Sequence, residues 1–146
     1  MTKAKKSKDQ IQEMPGHLFR RLHQIAVAKF ALETDAHKIT PVQWAILQAT
    51  HDNPGLDQST LARQIALDTS TIAGVIDRLE ARGVIERRAS PDDRRVRILF
   101  LTSDGEDLLL SVTPTVEKMQ KWLLAPLSKS EQLHFIQSMQ KLISRE

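Results

Sequence analysis

Apolar positions along the 146-residue chain fall mostly into helical runs, interrupted once by two short stretches of branched residues. Leu18, Leu22, Ile25, Ala26 and Phe30 recur at helical spacing and predict a long helix over about 15–37, with Pro15 suited to its first turn. Thr40-Pro41-Val42-Gln43 predicts a second start: threonine caps, proline takes the first helical position and glutamine closes a capping box. That helix carries Trp44, Ala45 and Leu47 and stops at Asn53-Pro54-Gly55. Asp57 predicts the cap of a third helix with Leu61, Ala62 and Ile65 inward, and the turn Ala66-Leu67 leads to Asp68, the cap of a fourth. In the fourth, Ile72, Val75, Ile76 and Leu79 form a clean core stripe, and Gly83 ends it as a left-handed residue.

The pattern then changes period. Residues 84–88 and 97–101 are short and rich in branched apolar side chains, and Ser90-Pro91-Asp92-Asp93 between them is a turn signature, so the segment predicts a two-stranded hairpin. Ser103-x-x-Glu106 predicts the cap of a long fifth helix reaching about Leu124, kinked or loosened at Pro114. Ser128-x-x-Glu131 predicts a last helix with Leu133, Ile136, Met139, Gln140 and Ile143 along one side.

This order gives a fold class that is mainly α with a small β-hairpin wing. Residues 1–13 read as a flexible basic tail and 14–146 as a single domain. Within it, 39–102 form a winged helix-turn-helix lobe, and 14–38 and 103–146 supply dimerisation helices. The terminal apolar stripes exceed what one small lobe needs to cover itself, which predicts a homodimer.

Composition sharpens the picture. The chain has no cysteine, which removes disulfides, thiolate metal sites and thiol redox sensing. No apolar run is long enough to span a membrane, and Lys3, Lys5, Lys6 and Lys8 are not followed by an apolar stretch, so a cytoplasmic location is expected. The five histidines, at 17, 23, 37, 51 and 134, form no ligand pair, and no nucleophile signature or glycine-rich phosphate loop occurs. No catalytic residue, cofactor or metal is therefore expected. The net charge is only +3, but it is concentrated: four lysines lie in the first eight residues, and five arginines lie between Arg87 and Arg97 against Asp92 and Asp93. A positive field focused on a tail and a hairpin is how a phosphate-contacting protein places its charge.

The candidate DNA-reading residues follow from the fourth helix and the hairpin. Ser70, Gly74 and Asp77 lie opposite the core stripe, flanked by Thr71, Ala73 and Arg78. Gly74 suits close approach to a groove floor. Thr69, Ser70 and Thr71 crowd the helix start where hydroxyls and free N–H groups meet phosphate, with Ser59 near the start of the preceding helix. Arg78 reaches a phosphate or a guanine edge. Asp77, a carboxylate facing phosphates, is expected to pair with an arginine of this helix or the wing, or to accept from a cytosine amine. In the wing, Asp92 and Asp93 are expected to organise the tip by accepting backbone N–H bonds and pairing Arg94 or Arg95, leaving the other arginine for a narrow minor groove.

The run LARQIALDTSTIAGVIDRLEARGVIERRASPDDRRVRILFLT resembles the MarR family of bacterial regulators. Its most telling parts are Asp77-Arg78-Leu79-Glu80-Ala81-Arg82-Gly83, Asp93-Arg94-Arg95 and Leu101-Thr102, and the likeness extends over most of 15–144. The resemblance implies an obligate dimer of winged-helix lobes joined through the first and last two helices, with DNA binding controlled by a small molecule. Two features depart from common patterns: there is no cysteine for oxidant sensing, and Thr69-Ser70 stands where many members carry a basic or proline residue. The segment Ile39-Thr40-Pro41-Val42-Gln43-Trp44 also looks like members that govern breakdown of aromatic acids.

These readings converge on a dimeric repressor of a palindromic operator in double-stranded DNA, with half-sites about one DNA turn apart. A small aromatic acid related to benzoate, hydroxycinnamate or nicotinate is the expected effector. His17, Arg20 and His23 on the first helix, beside Trp44, are the candidate ligand residues: a cation for the carboxylate and an aromatic wall for the ring. A transcriptional activator and an effector-independent architectural DNA-binding protein are the alternatives.

Overall fold

The computed structural model describes residues 9–145; positions 1–8 of the expected tail, with its lysines, lie outside the described residues, whereas Gln10–Glu13 form a 3-10 turn. Six α-helices, two short 3-10 turns and three strands are formed among them. They are α1 (Pro15–Glu33), α2 (Pro41–Asp52), β1 (Leu56–Asp57), α3 (Gln58–Gln64), α4 (Thr69–Ala81), β2 (Ile85–Ala89), β3 (Arg97–Leu101), α5 (Ser103–Leu124) and α6 (Lys129–Ile143).

The core lies inside the lobe built from α2 to β3. Ile46, Leu47, Leu61, Ile72, Ile76, Leu79 and Leu99 are completely buried, so the α4 stripe packs against α2, α3 and the central strand. Val112, Val116 and Met119 extend this core along α5. The hairpin register pairs Ile85 with Leu101 and Ala89 with Arg97. The sheet has three strands in the order β1-β3-β2, not two: Leu56 and Asp57 pair with Leu99 and Ile98 on the free edge of β3. A two-residue strand is too short to show an alternating pattern, which is why the sequence did not reveal it.

Most helix ends follow their caps. Thr40 and Ser128 each close a full capping box, Asp57 accepts from the Thr60 N–H, and Gly83 sits at φ +81. Three boundaries differ from expectation. α1 ends at Glu33, because the buried Thr34 hydroxyl bonds the Phe30 carbonyl at 2.8 Å and the chain turns into the 3-10 segment Asp35–His37. β2 begins at Ile85 rather than at position 84. The cap of α5 is Thr102, not Ser103: its hydroxyl accepts from the Gly105 N–H at 3.0 Å and donates to the Gly83 carbonyl at 2.6 Å. α5 then runs unbroken through Pro114. Proline brings no N–H to the Leu110 carbonyl four residues back; the Ser111 and Thr113 hydroxyls donate instead to the neighbouring carbonyls of Leu108 and Leu109.

Two predictions follow from this framework. A Cβ added at Gly105 would overlap the Val84 carbonyl oxygen outright, a backbone atom that cannot swing aside. Gly105→Ala is expected to cost about 1–3 kcal/mol, the scale of overpacking, read by urea unfolding; unchanged stability would show that α5 and the hairpin base are not seated this closely. Asp68 accepts from the Thr71 N–H at 2.7 Å and from the Ser70 and Thr71 hydroxyls, and these bonds hold its carboxyl at about 2, below the usual 3.8. A carboxyl more acidic folded than unfolded stabilises the fold fully once ionised in both states, above about pH 4, and the contribution fades as pH falls towards about 2. The stabilities of the wild type and Asp68→Ala should therefore differ above about pH 4 and converge near about pH 2 in acid-titrated denaturation.

Candidate nucleic-acid interface

Burying one face of α4 displays the other. Ser70, Asp77 and Arg78 are exposed, and Gly74 is half-buried with open space where a side chain would stand. Nothing in the chain's own packing requires glycine there, so the surface at this point is small and open. Arg78 has no acid partner among the described residues.

The start of α4 is organised by Asp68. Because Ser70 and Thr71 donate their hydroxyl protons to its carboxylate at 2.7 and 2.8 Å, they serve first as cap groups. The Thr69 side chain is exposed and uncommitted. It lines a cleft of about 260 Å³ between the helix starts and the wing, with Asp57, Gln58, Ser59, Arg95, Val96 and Arg97. Ser59 is thus brought beside Thr69 and Arg95, a juxtaposition that sequence spacing did not reveal. The Gln58 side-chain oxygen is buried there without a hydrogen-bond partner.

The wing is tied to α4 by one side chain that sequence reasoning did not single out. Arg87 on β2 bonds Asp77 through Nη2, and the same nitrogen lies 3.1 Å from Glu80 Oε1. Its backbone N–H also donates to Glu80 Oε2 at 3.2 Å. Arg87 is mostly covered, and its hydrogen bonds hold the Glu80 carboxyl below the ordinary glutamate range. The expectation that Asp77 pairs with a wing arginine therefore holds. The signal was present: Asp77 and Glu80 lie three apart, on one helical face.

At the wing tip the two aspartates have different roles. Asp93 accepts from the Arg95 backbone N–H at 3.0 Å and from its guanidinium at 3.1 Å, which draws the Asp93 carboxyl to lower pKa. The expected organising role of Asp92 is not seen: its carboxylate accepts no hydrogen bond among the described residues, and only its backbone N–H is engaged, with the Ser90 hydroxyl at 3.3 Å. Asp93 precedes Arg95 by two residues and fits the turn; Asp92 stands one place too early. Arg94 is exposed and has no acid partner among the described residues.

The predicted ligand residues lie apart from this surface. Arg20 Nη2 is 3.2 Å from His17 Nδ1. A guanidinium only donates, so Nδ1 accepts and the ring proton sits on Nε2. That Nε2–H is buried without a partner, as is the Trp44 indole N–H. His23 is exposed on α1. No cluster of residues suited to a metal ion occurs among the described residues, and no helix of the structure is long and apolar enough to cross a membrane.

Comparison with known proteins agrees with this geometry. The MarR family model matches residues 39–96, the part of the lobe from α2 to the tip of the wing. The transcriptional regulator HosA of Escherichia coli O111:H- is 31% identical over 128 residues, covering 88% of this chain and 93% of that protein. The HTH-type transcriptional repressor NicR of Pseudomonas putida is 29% identical over 136 residues, covering 93% of this chain and 86% of that protein. Among solved structures, Bordetella bronchiseptica BpsR, described with regulation of its DNA binding by 6-hydroxynicotinic acid, superposes with a TM-score of 0.86 at 30% identity, covering 90% of this chain and 94% of that one. With a helical bundle carrying a small antiparallel wing, and with relatives matched over nearly their whole length, this chain belongs to the MarR family of transcriptional regulators, DNA-binding proteins rather than enzymes.

Proposed function

We propose that this regulator is a dimeric repressor that grips a palindromic operator through α4 and the wing and is released in the cytoplasm by a small aromatic carboxylic acid. The observation that carries the reading is the division of cations in the lobe. Arg87 and Arg95 are committed to acids, whereas Arg78, Arg94 and Arg97 stand exposed with no acid partner among the described residues. Committed arginines build the surface and uncommitted ones are left for phosphates and bases. In this reading α4 enters the major groove with Ser70, Gly74 and Arg78 towards base edges. Ser59, Thr69 and Thr71 serve the backbone at the helix starts, Asp93 holds Arg95 at the tip, and Arg94 enters the minor groove.

Dimerisation is supported by what the single chain leaves uncovered. None of the 15 residues of α6 is buried, and Leu133, Ile136 and Ile143 face outward, as do Leu18, Leu22 and Ile25 of α1. A helix of this length is marginal in water without a packed face. A second copy covering α1 and α6 supplies that face and gives operator half-sites a two-fold relation.

The effector reading rests on two buried donors without acceptors, His17 Nε2–H and Trp44 Nε1–H, with Arg20 hydrogen-bonded to His17 and His23 completing the polar set of α1. A buried unpaired donor is costly and calls for an explanation; a carboxylate or ring oxygen supplies the missing acceptor. The relatives agree in kind: NicR carries the name repressor, and BpsR's DNA binding is regulated by 6-hydroxynicotinic acid.

The first test is selection of bound duplexes from a randomised pool, followed by anisotropy titrations at several salt concentrations. Arg94→Ala is expected to weaken binding to the best duplex and lower the salt slope by about 0.9, one phosphate's worth. Unchanged affinity and slope would remove the wing from the interface. In the second test, 6-hydroxynicotinate, benzoate and p-coumarate are titrated into the complex. At least one should weaken it by about 5–150-fold, a typical coupling, and His17→Ala should abolish that response while keeping ligand-free affinity. No shift with any of them favours a regulator without an aromatic effector.

A further inference from the structure

One side chain joins the end of α4 to the turn between α1 and α2. Arg82 caps the C-terminal end of α4, one residue past Ala81 and still in helical conformation, and Gly83 at φ +81 turns the chain away at once. Its guanidinium crosses to a segment 44 and 45 positions earlier, where Nη1 donates to the Lys38 carbonyl at 2.7 Å and Nη2 to the His37 carbonyl at 2.6 Å. A planar fork thus holds two successive carbonyls, geometry that arginine offers and lysine does not.

The turn it holds is itself firmly set. Lys38 lies at φ 51 and ψ 48, a left-handed conformation disfavoured for a residue with a side chain. Such a conformation persists where the surroundings over-determine it. Thr34, 1% exposed, shares its hydroxyl proton between the Phe30 carbonyl at 2.8 Å and the Ile39 carbonyl at 3.2 Å. Phe30 belongs to α1 and Ile39 is a buried core residue leading into α2. The carbonyls gripped by Arg82 are therefore fixed to the end of α1 on one side and to the core on the other. Arg82 is also well placed on α4, since a cation at a helix C-terminus complements the dipole.

We propose that Arg82 is a positioning residue for DNA reading. It anchors the C-terminal end of α4 to the α1–α2 turn and so sets the angle at which α4 meets the groove, without touching phosphate. The proposal rests on the reading of α4 as the groove-entering helix. It gives Arg82 a role opposite to the one its charge suggests, because an exposed arginine beside a DNA-reading helix looks like a phosphate contact. The distinction is measurable: a phosphate contact contributes to salt dependence and strengthens binding to all sequences alike, whereas a positioning contact acts on the fit of base-reading groups.

The experiment uses the full chain with two duplexes: the tightest from the selection and a shuffled one of the same length and composition. Arg82→Ala is expected to lower affinity for the selected duplex by about tenfold, the scale of one misread base pair. Affinity for the shuffled duplex and the salt slope should stay unchanged. Arg82→Lys keeps the charge but not the fork and should behave like Arg82→Ala. If Arg82→Ala does not fold, Arg82→Lys and Arg82→Gln carry the same comparison. A slope lowered by about 0.9, with both duplexes weakened together, would make Arg82 a phosphate contact and overturn the proposal. Full rescue by lysine, or unchanged affinity for both duplexes, would overturn it as well, and so would a fall in melting temperature with equal loss on both duplexes, which marks a purely structural role. Arg78→Ala and Arg94→Ala are measured alongside. If neither alters binding, the assignment of the DNA surface itself fails; if they do and Arg82→Ala leaves the ratio of the two affinities intact, only the role of Arg82 fails.

Discussion

Burial of a single stripe on α4 is the constraint on which the rest of the lobe depends. Ile72, Val75, Ile76 and Leu79 fix the rotation of the helix about its own axis, because turning it would bring exposed polar groups into a core that Ile46, Leu47, Leu61 and Leu99 fill completely. Which residues face outward is then no longer free. Ser70, Gly74 and Arg78 are displayed because their neighbours are not. The same packing leaves Asp77 and Glu80 on the flank next to β2, where Arg87 pairs with both. That ion pair is the complement of the apolar stripe: the stripe sets the roll of α4, and the clamp sets where the hairpin stands beside it. Because Arg87 is largely covered, its contribution is less screened than that of the tip pair Asp93–Arg95, whose arginine is 90% exposed.

The division of labour among the arginines explains how a chain of modest net charge concentrates its field. Within the hairpin, Arg87 and Arg95 answer nearby carboxylates and Arg88 lies over the Phe100 ring while pairing with Glu86. The positive potential left over comes from a smaller group of side chains than the sequence suggests. The carboxylate of Asp68 narrows it further by occupying the start of α4, the place where a bare helix would attract an anion. The lobe thus directs positive charge to its middle and its wing rather than to the start of α4.

Much of this was legible in the sequence because local chemistry and global packing agree. Thr40, Asp57, Asp68 and Ser128 cap where their spacing says, and Gly83 closes α4 where it should. The helix order and the hairpin followed from periodicity together with these caps and the Ser90-Pro91-Asp92-Asp93 turn. What stayed hidden depends on contacts between distant segments. β1 exists only because β3 has a free edge. Thr102 displaces Ser103 as the cap because its hydroxyl also reaches Gly83, on the far side of the hairpin. Asp92 and Asp93 look equivalent in the sequence, and the turn geometry separates them. Arg82 and Arg87 were visible only as positive charges, and their partners lie across a fold that had first to be built.

The placement of Thr102 has a mechanical consequence. Only this residue separates the last strand of the sheet from α5, and its bonds to Gly83 and Gly105 remove the slack a loop would provide. The 22 residues of α5 make a rod about 33 Å long at ~1.5 Å rise per residue. Tilting it by about 5° moves one end by about 3 Å relative to the other, given a length of about 33 Å. A rod joined to the wing without a hinge acts as a lever: a small tilt at one end of α5 becomes a displacement of several ångströms at the other.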